Sequence, residues 1–441
     1  MPGLARRAAL TAVLALIHAP AAVAAAGGGS SSFGGGGGSS GGGSSGGGGG
    51  GSGDFGLFDA VLFGLIALGV VAIFIAAGVA SIRYARRRRA RAAAVGRVSL
   101  AAAEDDSAFH PDMVRRWADY LFREAQAAWD ARDHARLAAI VGADLLVEWT
   151  RRLDDFEAKG WHNRVELPGP VEVEYLGLVN RADDGDDRAV VRIEARLRDY
   201  VVDRNGAVIK ADGATSTERT LQEWWTLGKR DSRWIVFSIE QEAEGRHNLD
   251  GRLVATPADD AERLGDAVLV DLAAQDKVAP GFTVADVADL DFDGDARAAA
   301  LDLSLADARF APDLLEAAAR RVVSAWAEAV DGDDAPLEAV ASPEAVRRML
   351  HPSGDGTRLV VRGPVVRRVH IARLDAATQP PVMSIEVEVS GRRYVEDRDT
   401  AAVVSGSRSA EARFTERWTL ALDGPDAAPW RIVDAAAEAV R

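Results

Sequence analysis

The sequence predicts an α+β protein: two tandem modules, each of helices followed by a curved antiparallel sheet, behind one transmembrane helix. Three observations carry this reading. A set of sequence marks recurs in order at nearly constant spacing, helical periodicity precedes strand alternation at both occurrences, and a run of twenty uncharged residues lies ahead of them.

The N-terminal elements come first. Residues 1–26 carry Arg6 and Arg7, an apolar run from Ala8 to Ile17 and a small-residue end, the layout of a signal peptide, with Ala22-Val23-Ala24 or Ala24-Ala25-Ala26 as cleavage site. Residues 27–53 are eighteen Gly, eight Ser and Phe33, with nothing to bury, so a disordered tract is expected. Gly42-Gly43-Ser44-Ser45-Gly46 fits a nucleophile-elbow string, but no strand or helix frames it. Val61 to Ala80 is long enough for a bilayer core, which predicts a transmembrane helix over 60–82. Arg83, Arg86, Arg87, Arg88, Arg89 and Arg91 follow it, in a basic linker over 83–107. As an orientation signal they would place the Gly/Ser tract outside and the rest in the cytoplasm, a single-pass protein of the inner membrane held in the lipid bilayer by that helix.

The repeat fills the remainder. Arg198-Asp199-Tyr200-Val201-Val202-Asp203-Arg204, then Glu223-Trp224-Trp225-Thr226-Leu227, then Trp234 are matched by Arg392-Arg393-Tyr394-Val395-Glu396-Asp397-Arg398, Glu416-Arg417-Trp418-Thr419-Leu420 and Trp430. Ahead of the first set, Pro111 opens a helix with Val114, Trp117, Leu121, Ala125 and Ala128 at helical spacing, and a second helix after Asp133 runs from Leu137 to Phe156. Pro312, Leu314, Leu315, Ala318, Val322 and Trp326 open the second copy. Strands follow: Val191, Ile193, Ala195 and Leu197 alternate with charged residues, as Met383, Ile385, Val387 and Val389 alternate with polar ones. These give modules over 108–245 and 308–438. Between them 246–307 reads as a linker or as part of module two, with a helix from Asp259 to Ala274 and a strand-like alternation at Leu301, Leu303 and Leu305.

A Gly/Ser tract, one apolar span and a helix-then-sheet module with Asp-Tyr-Val-x-Asp-Arg, Glu-Trp-Trp-Thr-Leu and a closing Ile239-Glu240-Gln241 resemble bacterial membrane-anchored proteins of the Tim44-like family. The resemblance implies the cone-shaped fold of the nuclear-transport-factor-two-like superfamily, and a binding role at a membrane. The second copy departs from the pattern, with Ala435-Ala436-Ala437 in place of the Ile-Glu-Gln ending.

Little chemistry is legible. Seven scattered histidines and no cysteine give no metal site and no thiol chemistry, and no cofactor is called for. Asp289-Leu290-Asp291-Phe292-Asp293-Gly294-Asp295 copies the first half of a calcium loop, but Ala300 stands where the closing Glu belongs, which makes a solvated acidic turn the better reading. Arg198, Tyr200, Arg392 and Tyr394 lie on wet strand faces at matching places, as a possible binding surface or as packing partners. The inner strand faces read as aliphatic, with Asp199 the exception, which argues against catalysis. The expectation is therefore a non-catalytic adaptor in membrane-protein assembly or transport, with a protein partner that the sequence does not identify. The alternatives are an enzyme or small-ligand binder using the cone pocket, and a structural envelope scaffold. The formal charge of −15 excludes nucleic acid as a general partner; it divides into +6 for residues 1–91 (eight Arg, two Asp) and −21 for the rest (44 basic, 65 acidic). Any lipid contact is thereby restricted to the arginine cluster or a local patch.

Overall fold

The computed structural model describes residue 26 and residues 57–209, 216–259, 289–426 and 428–437. The signal peptide up to residue 25, the Gly/Ser tract and the helix expected beyond Asp259 lie outside the described residues.

A 49-residue helix, α1 (Leu57–Asp105), leads into the first half of an α+β molecule. There α2 (Pro111–Ala131), α3 (His134–Ile140) and α4 (Ala143–Ala158) precede β1 (His162–Glu166), β2 (Val171–Val179), β3 (Arg188–Val202), β4 (Val208–Ile209), β5 (Glu218–Arg230) and β6 (Arg233–Gln241). The second half holds β7 (Asp289–Phe292), α5 (Gly294–Ser304), α6 (Pro312–Asp331), α7 (Ala335–Val340) and α8 (Pro343–Leu350). After them come β8 (Thr357–Asp375), β9 (Val382–Asp397), β10 (Val403–Gly406), β11 (Ala412–Leu422) and β12 (Trp430–Ala437).

Each half closes one sheet over its own helices. In the first, β1, β3, β5 and β6 run in that order, with β2 and β4 also on β3; in the second the order is β12, β11, β9, β8 and β7, with β10 on β9. Pairing is antiparallel apart from β7 with β8, where Phe292 faces Ile371. Alternation sets the registers: Val191 lies opposite Trp225, and Ile385 opposite Trp418, so aliphatic and indole side chains share the inner faces. Eight of the ten tryptophans are buried. Trp129 meets Trp149 edge-on at 5.6 Å in the first core, and Trp326 lies 5.5 Å from Trp418 in the second. Both cores are filled by large rings, the packing a domain of this size requires.

Local chemistry ends the helices. Asp133 Oδ1 accepts from the Arg136 N–H at 3.0 Å, and Ser342 caps α8 in the same way. The second helix expected after Asp133 is two helices, α3 and α4. Val141 leaves the helix to bridge Val236, and the Gly142 N–H bonds to the Val236 carbonyl, a tertiary contact that period alone does not reveal. Leu301 and Leu303, read as strand-like, lie on α5. The calcium-loop-like segment is strand β7 followed by Asp293, whose carboxylate caps α5, while Asp291 holds Arg368 and His370.

The predicted membrane placement is overturned. Among the described residues no helix is long and apolar enough to cross a membrane. Moreover Ala26, which precedes α1, is buried in the same core as Val114 and Trp225, which follow it. A single crossing between them would put these residues on opposite sides of a bilayer. The single-pass, inner-membrane topology is therefore withdrawn.

Candidate functional site

The arginine cluster divides by helix face. Tyr84, Arg88, Arg91, Val95, Ser99 and Ala102 recur at three- and four-residue spacing and form the face of α1 that docks on the first sheet. Arg88 pairs with Glu174 at 2.8 Å, and Arg91 Nε donates to the Leu176 carbonyl at 2.7 Å. Tyr84 Oη donates to Glu242 at 2.7 Å; burial and that carboxylate push its pKa up to about 12. Arg87 reaches Asp250 at 2.6 Å from the flank of this face. Two of the six arginines, Arg88 and Arg91, are thus structural anchors, while Arg87 makes an exposed surface pair. Arg83, Arg86 and Arg89 are exposed, and Leu68, Val71, Ile75, Val79 and Ile82 continue the line of Arg86 and Arg89 along the outward side.

The two predicted Arg–Tyr pairs lie in unlike places. Arg198 Nη1 and Tyr200 Oη both donate to Glu166 at 2.9 Å on the surface of the first half. The Tyr200 hydrogen bond, with Arg198, holds the Glu166 carboxyl below its usual range. Tyr394, placed by the sequence on a wet face, is 1 % exposed. Burial, then Glu244, raises its hydroxyl pKa. Arg392 donates to the Glu244 carbonyl at 3.1 Å. The second pair is part of a joint between the halves, which no periodicity within one strand can show.

That joint is ionic. Arg152 meets Glu396 at 3.0 Å, Arg398 meets Glu148 at 2.8 Å, Arg151 meets Asp399 at 2.7 Å and Arg188 meets Asp333 at 2.6 Å. At its centre Arg362 donates to Ser238 Oγ, the Ile239 carbonyl and Asp331, while Glu240 accepts from Asn248 and shares a 2.8 Å hydrogen bond with His247. Burial pushes His247 down, but the Glu240 carboxylate outweighs it and holds the imidazole above its ordinary range. Backbones meet closely here: a Cβ on Gly363, at φ +59°, would lie 2.5 Å from His247 Cγ.

The inner faces are less aliphatic than their alternation suggests. In the first core Asn163 accepts from Trp129 Nε1 at 2.8 Å and donates to Asp199 at 2.7 Å, and Arg219 pairs with the same Asp199. Glu223, wholly buried, accepts from Trp225 Nε1 at 3.0 Å, and burial lifts its pKa to about 7. Asp199 is raised by burial against the pull of Arg219. These groups engage one another within the first core. Two groupings have metal-like spacing among the described residues, the carboxylates Asp106/Asp184/Asp187 and the mixed set Glu240/His247/Asp331. A cationic side chain sits in each, Lys229 in the first and Arg362 in the second.

Residues 95–241 match the Tim44-like domain. The match starts inside α1, whose Val95 and Ala102 belong to the first core. No curated protein matches the chain. Among solved structures, the chain is similar to the intermembrane space region of the chloroplast protein ARC6, at 15 % identity over 29 % of this chain and 94 % of that one, with a TM-score of 0.23. It is also similar to an Ntf2-like protein involved in plasmid conjugation, at 10 % identity over 70 % of this chain and 88 % of that one, with a TM-score of 0.16.

Proposed function

We propose that the protein is a non-catalytic, membrane-associated adaptor whose two halves are tandem copies of one module, serving membrane-protein assembly or transport. The projecting part of α1 carries this reading: apolar side chains exposed around the helix from Leu68 to Ile82, Ile73 and Phe74 included, run into Arg83, Arg86 and Arg89, cations left over after the docked face has used Arg88 and Arg91. Apolar side chains beside arginines suit the boundary between acyl chains and anionic headgroups. The strongly acidic remainder of the chain keeps adhesion to that one face.

Matched contacts support the duplication. Phe109 meets Trp234 edge-on at 5.2 Å, and Phe310 meets Trp430 at 5.8 Å; in each case the indole N–H donates at 3.1 Å to the carbonyl one residue before the Phe. Arg198 and Tyr200 of the first half remain open to a protein partner, whereas Arg392 and Tyr394 are used by the joint.

Flotation with phosphatidylglycerol-containing and with purely phosphatidylcholine vesicles tests the lipid face. At about 1 kcal/mol per arginine, replacing Arg83, Arg86 and Arg89 by Gln should weaken binding to the anionic vesicles roughly 100-fold. Equal binding to both vesicle types, or none to either, would sink the proposal.

A further inference from the structure

The projecting part of α1 leaves large apolar side chains in solvent, and their order is symmetric. Leu68, Val71, Ile75, Val79 and Ile82 are 41–68 % exposed and form one stripe along the helix. Their spacing is three, four, four, three, so the stripe reads alike from either end. Ile75 is its centre, Val71 and Val79 stand four residues away on each side, and Leu68 and Ile82 stand seven away. Ala72 and Gly78, three residues before and after the centre, flank it with small residues, and a Cβ on Gly78 would meet nothing. A seven-residue repeat of large apolar residues is what a helix presents to another helix, and an exposed contiguous apolar patch marks a contact.

We infer that this stripe is a self-complementary contact, at which α1 of a second copy of this chain packs antiparallel about a twofold axis through Ile75. That order uses the symmetry: Ile75 meets its own counterpart, Val71 meets the partner's Val79 and Leu68 meets the partner's Ile82. Charge favours it too. Arg86 and Arg89 continue the stripe, and in a parallel pair they would face their own counterparts. The antiparallel pair sets the two Arg86 positions about 33 Å apart along the axis, well beyond the roughly 8 Å over which salt screens charge. The folded bodies also have room. At 100° per residue, the centre of the stripe lies roughly 170° around α1 from the docked face of Tyr84, Arg88, Arg91 and Val95, so each body sits away from the seam. Ile73 and Phe74 lie off the stripe and stay open to lipid. The contact does not rest on membrane binding, and each can fail without the other.

The chain has no cysteine, so single thiols report the order of the contact without background. In the full-length protein a short bismaleimide should join Ile75→Cys into a covalent dimer roughly tenfold faster than Leu68→Cys, whose two copies lie about 21 Å apart along the axis. Mixing Leu68→Cys with Ile82→Cys chains should restore the cross-link. Ile75→Asp sets two carboxylates against each other at the centre, outside either core. It should turn the sedimenting dimer into a monomer while the denaturant unfolding of the body stays unchanged. Leu68→Cys joining as fast as Ile75→Cys would mean a parallel or random contact and overturns the arrangement. A parent chain that sediments as a monomer overturns the dimer outright; if that monomer still floats with anionic vesicles, the stripe belongs to lipid alone.

Discussion

The two halves place corresponding residues in different surroundings, and the difference shows where each half spends its polar groups. In the first, Asp199, Arg219, Asn163 and Glu223 form a buried network; in the second, Arg393 stands at the position of Asp199 and reaches Glu416 at 3.1 Å, the residue matching Glu223. Leu359 lies opposite Val395 in the second sheet, where Asn163 lies opposite Val201 in the first. The inner carboxylate is kept while its cationic partner comes from another strand. Towards the outside the contrast reverses. Tyr200 remains on the surface and Tyr394 is buried in the joint, so a motif repeated almost letter for letter is open in one half and structural in the other.

Lys229 offers the largest break in this comparison. It is buried among Asp106, Asp184 and Asp187 and lies 5.0 Å from the Phe109 ring, whereas Leu422 occupies the corresponding strand position in the second half. Lys229→Leu makes the first half imitate the second but strands buried Asp187 without its cation. It should cost about 3–5 kcal/mol, read as an earlier unfolding transition in denaturant. Adding Asp187→Asn should recover part of the loss. A Lys229→Leu chain as stable as the parent would show that the cluster is not a buried ionic lock.

Much of this contrast was hidden in the sequence for physical reasons. Period-two alternation revealed β3 and β9, because Val191 to Leu197 and Met383 to Val389 each have one aliphatic face. Lys229 keeps the inward parity of Trp225 and Leu227, yet a lysine there reads as a strand-end surface charge, because Asp106 and Asp187, which make its burial tolerable, are brought to it only by the fold. The joint was illegible because its partners, such as Arg398 with Glu148, are 250 positions apart and each reads alone as a surface charge. Likewise Arg88 and Arg91 read as members of one cationic run, and only the docking of α1 separates anchors from free cations.

The joint gives a second, intermediate effect. His247 gains Glu240 as a partner on folding, so its pKa is higher folded than unfolded. Its contribution to stability is therefore fully present below the unfolded value and is lost as pH rises through the folded one. Titratable and charged groups facing it are Glu240, Asp331 and Arg362; Asp331, raised by burial, acts in the same sense at lower pH. Hydrogen exchange across β6 and β8 should quicken as pH is raised above neutrality, after correction for intrinsic exchange. His247→Gln, which keeps a donor but cannot titrate, should flatten the corrected profile. A parent profile equally flat would remove His247 from the joint's energetics.

The smallest effect tests whether Tyr200 is as free as its position implies. Its hydroxyl is the main reason the Glu166 carboxyl lies low, with Arg198 adding to it. Tyr200→Phe removes that donor and leaves the ring, which Arg198 overlies at 5.9 Å. Glu166 should then titrate closer to its ordinary value in an NMR pH series. A carboxyl held low on folding stabilises above its unfolded pKa and loses that contribution as pH falls, so the variant should be slightly less sensitive to acid than the parent. At neutral pH the thermal midpoint should barely move, because the residue closes no buried network. A large drop in the midpoint would mean that Tyr200 supports the fold as Tyr394 does; the first half would then have no open copy of the motif to offer a partner.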